Sequence, residues 1–511
     1  MRSVEAFQKE SWGSAMEHVD ACLSRCTGIE ERSRALLLKG IIAREMKRDA
    51  DAAACFEEAT RIFPSPASHS LLSDALTRCE EFGRAATVAR AGLAFSTERY
   101  SPVETSLLFN NLGDALRLDR KFEDAANAYR NVIALMPEDS AAHYNLGYIF
   151  HIQDRIDAAI EHYGQALHLD PNHLENRSNL AYALLTASRF EEAWPHFEHR
   201  WVSMMSPSGQ RMASRPARPI RRWAGAFENS SDQHLLVVAE QGFGDTLQFC
   251  RYLPMVLERF AKVGFVCPKP LQRLIAHSLG RRWSNLILLD DEPKEFWEWD
   301  SYIPLMSMPM AFQTNLETIP ATIPYLSAAP HAAQKFASRL EELERSSLPR
   351  IGLVWAGGHA GLGVDEWRSI FPDQLGPLID WPHACWVSLQ KPESEDKRLK
   401  SDQRAKVVDW MDEMEDFADT AALIANLDLV ISVDTSVAHL AAAMGKPVWL
   451  LNRFAGCWRW MRNRDDSPWY PTMRIFTQRE RGNWNEVFER VLNELKRLDF
   501  RRAAGHYDLK G

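Results

Sequence analysis

The chain has 511 residues, more than one hydrophobic core needs, and reads as two to four domains. It is 46% hydrophobic and 25% charged, which excludes a low-complexity chain and leaves ample material for large cores. A formal net charge of -9 excludes the dominant basic stripe of a nucleic-acid binder.

The eight cysteines, at 22, 26, 55, 79, 250, 267, 385 and 457, form no CxxC pair. They read as buried or free thiols of a reducing compartment. The opening MRSVEAFQKESWGS lacks the apolar core of a signal peptide, and apolar runs such as LLVV are only strand-length. No membrane span is expected, and the expected location is cytoplasmic.

Three consecutive 34-residue blocks, 106–139, 140–173 and 174–207, align without gaps. Their seventh and eighth positions pair an apolar with a small residue: Leu112-Gly113, Leu146-Gly147 and Leu180-Ala181. Alanine holds the twentieth position (Ala125, Ala159, Ala193) and an aromatic the twenty-fourth (Tyr129, Tyr163, Phe197). Pro137 and Pro171 close the first two blocks. Small residues let two antiparallel helices approach, the aromatic is expected to fill the gap to the next repeat, and proline stops the second helix. A further copy spans 33–66, with Gly40, Phe56 and Pro64. A degenerate copy follows with Phe82, Ala85 and Ala86, and a partial one opens near Trp12 to Cys22. The pattern resembles the tetratricopeptide (TPR) repeat, with five to six helix pairs over 1–205. Such arrays bind peptides or proteins, or serve as scaffolds that dock a neighbouring module.

Residues 203–231, with SPSG, RPARP and NSS, lack helical periodicity, and 206–231 reads as a linker. Its Arg218, Arg221 and Arg222 are open to two readings, a solvated run or a contact for phosphate or an acidic partner. The texture then alternates. LLVVAE, VGFVCP, NLILLD and DSYIPL read as strands, with TLQFCRYLPMVLERF and LQRLIAHSL as helices, giving one lobe over 232–330. A proline-bearing connection with the helix AAQKFASRLEELERS leads to a second lobe over 331–500, with strands in PRIGLVWAGG, CWVSLQK, AKVVDW and LDLVISV. Residues 501–511 read as a tail.

In such sheets ligands bind at the carboxyl ends of strands, near helix N-termini. Four segments stand there. In AEQGFGDTLQFCRYLP, Gly242 and Gly244 allow a tight turn and close approach of a substrate, and Asp245 is either a proton acceptor or a helix cap. In IGLVWAGGHAGLGVDEWRSI, Arg368 suits a phosphate, or an ion pair with Asp365 or Glu366. In WVSLQK, Gln390 and Lys391 end a strand where a cation would meet a diphosphate. In LDLVISVDTSVAHLAAAMGKPVWLL, a buried strand ends at Asp434, and Thr435 and Ser436 open a small-residue helix with His439 one turn on. That turn is an anion site by its dipole and free N–H groups, unless Asp434 only caps and His439 only packs.

Together these segments, with WRWMRNRDDSPWYPTMRIF, resemble the heptosyltransferase-like glycosyltransferases, above all bacterial proteins that join TPR repeats to such a domain. The resemblance spans nearly the whole chain. It implies an α/α TPR superhelix followed by an α/β GT-B module of two Rossmann-like lobes, and a metal-independent, inverting transfer. It makes Asp245 the base and places Arg368 near the donor phosphates. Asp434, Thr435, Ser436 and His439 fall in the donor-binding turn. Where relatives carry an asparagine- or aspartate-rich stretch after WAG, this chain reads GHAGLGVDE. No metal and no cofactor are implied; the nucleotide-sugar is a co-substrate. The repeats suggest a protein acceptor on the TPR face, a Ser or Thr hydroxyl, with bacterial flagellin a candidate by analogy. Two other readings stay open: a transferase acting on a saccharide or lipid-linked glycan, and a non-catalytic adaptor with relic lobes.

Overall fold

The computed structural model describes residues 12–94, 101–203, 218–225, 230–358, 367–391 and 397–498. Most of the 206–231 linker, the HAGLGVDE stretch with Asp365 and Glu366, and the 501–511 tail lie outside the described residues. The chain divides into two compact units, Met1–Leu180 and Ala181–Gly511.

In the first unit, helix α1 (Trp12–Leu23) precedes four antiparallel pairs. These are α2 (Ile29–Glu45) with α3 (Asp49–Ile62), α4 (Pro66–Arg78) with α5 (Phe82–Ala94), α6 (Pro102–Leu118) with α7 (Phe122–Leu135), and α8 (Ser140–Ile152) with α9 (Ile156–Leu169). Local chemistry starts the helices. Ser101 and Glu104 close a reciprocal capping box around Pro102, the first residue of α6. Glycines set the spacing within a pair. A Cβ on Gly113 would lie 2.6 Å from the Tyr129 ring, and one on Gly147 would lie 2.8 Å from the Tyr163 ring. Each aromatic therefore seats on the glycine of its own repeat, which corrects the expectation that it fills the gap to the next. The turns inside the pairs place Arg120 and Asp154 at φ 62° without glycine, and Ser188 repeats this one period later.

The division between the units falls inside α10 (Leu174–Thr186), ahead of residue 205. The cause is α11 (Phe190–Phe197), whose Phe190, Trp194 and Phe197 share one buried face. Phe190 meets Trp469 edge-on, and Trp194 and Phe197 meet Trp458. Beyond α11, the buried Arg200 pairs with the buried Glu240 and donates to Ser307 Oγ at 3.0 Å.

Two all-parallel sheets follow in this unit, their connections including the helices α12 (Phe243–Phe249), α13 (Lys269–Ile275), α14 (Pro330–Glu341), α15 (Phe417–Ile424) and α16 (Ser436–Ala443). The first has the order β1-β5-β2-β3-β4, with β1 Arg221–Arg222, β2 His234–Val238, β3 Lys262–Val266, β4 Leu286–Leu289 and β5 Ser301–Pro304. The second has the order β11-β10-β9-β6-β7-β8. Its strands are β6 Arg350–Val354, β7 Cys385–Ser388, β8 Val407–Val408, β9 Leu429–Val433, β10 Val448–Asn452 and β11 Met473–Thr477. Strands β6, β7, β9 and β10 are buried throughout, so their sequences run apolar instead of alternating. Together they form the α/β GT-B arrangement that the resemblance implies.

The Arg221 and Arg222 run differs from the linker reading. It pairs in parallel with Ser301 and Tyr302, because the next residue, Trp223, is buried and donates its N–H to the Tyr302 carbonyl at 2.9 Å. Arg218 and Arg222 form ion pairs with Glu292 and Glu198. No helix of the described residues is long and apolar enough to cross a membrane.

Candidate active site

The site is built on two strand-to-helix turns, one from each lobe. After β2 the chain turns through Gln241, at φ 61°, into α12 (Phe243–Phe249), which Gly242 caps. Asp245 is the third residue of that helix. Its Oδ2 accepts the Gly242 N–H at 2.9 Å, so it serves the first turn as well as facing the cleft. After β9, Thr435 precedes α16 (Ser436–Ala443) but makes no side-chain cap. The Thr435 hydroxyl instead meets Ser432 Oγ at 3.1 Å, and 434–437 are only partly buried. The first N–H groups of this helix are thus left without a side-chain cap from their own turn, as an anion site requires.

The turns meet at Gly244. A Cβ there would lie 3.1 Å from His439 Cδ2 and 3.5 Å from Ser436 Cα. Gly244 therefore serves the contact of α12 with α16, and the space beside Gly242 holds the Asp245 carboxylate. His439 faces inward from this contact. Its Nδ1 pairs with Tyr470 Oη at 2.9 Å and its ring stacks on Trp460. Burial, with Arg459 and Arg251 nearby, pushes the imidazole well below its ordinary range, so it is neutral.

Arg368 reaches the donor-side turn. Its Nη1 donates to the Asp434 carbonyl at 3.1 Å, and its guanidinium covers Gly357, where a Cβ would lie 2.3 Å from Nε. Gln390 is buried, and its Oε1 accepts the N–H groups of Trp355 and Ala356 at 3.2 and 2.8 Å, fixing the end of β6. Lys391 is exposed at the end of β7. The structure thus gathers Gly242, Gly244, Asp245, Asp434, Thr435, Ser436 and His439 at one cleft, joins Arg368 to Asp434, and sets Gln390 and Lys391 at the neighbouring strand end.

Two cations stand out beyond those singled out above. The buried Lys397 donates to the Gly357 carbonyl at 2.8 Å. Arg459 lies on the turn after β10, pairs with Asp245, and donates through Nε to Gln248 Oε1 at 2.6 Å. Burial disfavours the Arg459 cation, but Asp245, then Cys457 and Asp434, outweigh it and push the guanidinium above its ordinary range. Arg459 stands between two tryptophans in WRWMRNRDD, and its carboxylate partner Asp245 is 214 residues away in the chain. Lys397 gave no signal.

Residues 385–451, from β7 through β10 and including the Asp434 turn, match glycosyltransferase family 9 (heptosyltransferase). Residues 110–173 and 153–198 match the tetratricopeptide repeat. The chain joins TPR repeats to a glycosyltransferase family 9 domain. As a glycosyltransferase it takes a nucleotide-sugar donor, and its repeats are of a kind that engages proteins. The chain is 26% identical over 420 residues to Protein FlbA of Caulobacter vibrioides, covering 77% of this chain and 67% of that protein. Among solved structures, MamA 41-end from Desulfovibrio magneticus RS-1 matches at 19% identity and a TM-score of 0.30, covering 34% of this chain and 93% of that one. The APC/C hetero-tetramer Cut9-Hcn1 matches at 17% identity and a TM-score of 0.32, covering 39% of this chain and 38% of that one. Likenesses of that size add nothing to the architecture described above.

Proposed function

We propose that this glycosyltransferase moves a sugar from its nucleotide carrier to a Ser or Thr hydroxyl of a protein, with inversion and without a metal. The carrying observation is the contact of Gly244 with Ser436, which sets the Asp245 carboxylate and the uncapped start of α16 on one cleft. The donor phosphates sit on 434–436, where the helix N-terminus and Arg368 balance the charge growing on the leaving group. Asp245 takes the proton of the acceptor hydroxyl as its oxygen bonds to the sugar's anomeric carbon. The bond from that carbon to the phosphate oxygen breaks in the same step, and the nucleotide departs.

A protein acceptor is supported by the repeats and by a cavity of about 590 Å³ in the first unit. The first helices of successive pairs line it, with Arg44 from α2, Ser70, Asp74 and Arg78 from α4, and Asn111 from α6. Leu71 and Leu107 stand among these polar groups, and such a mixed lining suits an extended peptide. Bacterial flagellin is the candidate acceptor by analogy alone, and the expected compartment is the cytoplasm. The test uses the full chain with Arg78→Glu and Asn111→Ala. Transfer to the protein acceptor should fall at least tenfold, with nucleotide-sugar affinity unchanged. Undiminished transfer in these variants speaks for a saccharide or lipid-linked acceptor.

A further inference from the structure

We propose that Arg459 is the positioning residue for Asp245: the donor-side lobe supplies the cation that aims the carboxylate of the opposite lobe. This rests on the reading of Asp245 as the base. The two residues are far apart in sequence and on different lobes, yet their side chains are 18% and 10% exposed, Asp245 first, and pair directly. Three further contacts fix the guanidinium. Nε donates to Gln248 Oε1 at 2.6 Å, one turn beyond Asp245 on the same helical stretch. Nη1 meets Cys457 Sγ at 3.1 Å. The flat face lies 4.5 Å from the centre of the Trp458 ring. Trp458 is wedged in turn by Trp194 and Phe197 of α11 and by Phe249 of α12, so the arginine has a rigid platform.

On the carboxylate, Arg459 holds Oδ1 and the Gly242 N–H holds Oδ2. An ionised carboxylate offers about four lone-pair sites, so two such contacts orient it and leave sites for an acceptor hydroxyl. The other charged or titratable groups packed around this pair are Asp434 on the donor turn, Arg251 beyond α12, the neutral His439 on α16 and the Cys457 thiol. None of them replaces the Arg459 contact. Parting the lobes would strip the carboxylate of its cation, so its aim is completed only when the lobes meet.

The experiment compares wild type, Arg459→Lys and Arg459→Gln in the full chain, each checked by thermal unfolding. Two quantities are read: kcat and KM for transfer, and nucleotide-sugar affinity by titration calorimetry. In Arg459→Gln, kcat should fall on the order of 10- to 100-fold with nucleotide-sugar affinity held, because the carboxylate loses its aim while the donor turn keeps Arg368. Arg459→Lys should restore most of the lost kcat. An unchanged kcat in Arg459→Gln, a loss carried by nucleotide-sugar affinity alone, or a loss that Arg459→Lys leaves in place overturns the proposal. Asp245→Asn is run beside them: if it transfers sugar as fast as wild type, the reading of Asp245 as base has failed, whatever Arg459→Gln does.

Discussion

The indole Nε1–H of Trp194 donates to the carbonyl of Thr314 at 2.7 Å, tying the last helix of the repeat series to the first lobe. Trp194 is also packed against Phe190, Phe197 and Trp458. The second unit therefore begins before the repeat period ends, and α11 is part of its core.

Trp194→Ala should cost the second unit about 3–5 kcal/mol, the usual penalty for emptying a large buried aromatic site. Urea unfolding followed by intrinsic fluorescence reads it. A loss under about 1 kcal/mol would mean that α11 is a removable appendage.

In the first unit, Gly147→Ala drives a methyl to 2.8 Å from the Tyr163 ring. The ring is fully buried and cannot swing aside. The expected cost is about 1–3 kcal/mol, read by thermal unfolding, despite alanine's better helix propensity. A stabilised variant would show that the aromatic seat is looser than the contacts imply.

His439 gives the second unit a pH dependence. Its imidazole is neutral when folded and takes a proton near pH 6.5 when unfolded. The unfolded chain thus binds the extra proton below about pH 6.5, and stability present above that pH is lost as the pH falls. The slope is at most about 1.4 kcal/mol per pH unit from this group. Denaturant unfolding at pH 7.5, 6.5 and 5.5 should give a flatter dependence in His439→Gln than in wild type. Equal slopes would contradict a neutral buried ring.

Much of the architecture was legible because it is written locally. The 34-residue period, the paired small residues and the prolines after α7 and α9 each act within one repeat. Strands β2, β6 and β9 read as apolar runs because parallel strands are buried on both faces. The positions of Asp245 and the Asp434 turn were legible for the same reason, since each directly follows such a strand. What depends on partners far along the chain was not. Strand β1 is two residues long and exists only because Ser301 and Tyr302 pair with it. Gln390 resembles a ligand-facing residue until the N–H groups of Trp355 and Ala356 are seen to occupy its oxygen. The partner of Arg459 lies in the other lobe, and no spacing rule links them.

Arg368→Ala removes the cation lying on the Asp434 carbonyl. Nucleotide-sugar affinity should weaken roughly tenfold or more, as expected for a lost charge-assisted hydrogen bond of about 1.5–3 kcal/mol. Titration calorimetry, or a thermal-shift series over donor concentration, reads it. Unchanged affinity would move the donor phosphates away from this turn.

The most direct test of the central claim is the intact mass of an acceptor protein, with bacterial flagellin first, incubated with a panel of nucleotide-sugars and either wild type or Asp245→Asn. Wild type should add the mass of one sugar residue per modified hydroxyl. Asp245→Asn should react at least about 100-fold more slowly while keeping its donor affinity and its fold. Equal rates for the two enzymes would contradict Asp245 as the base and, with it, the mechanism built on this cleft.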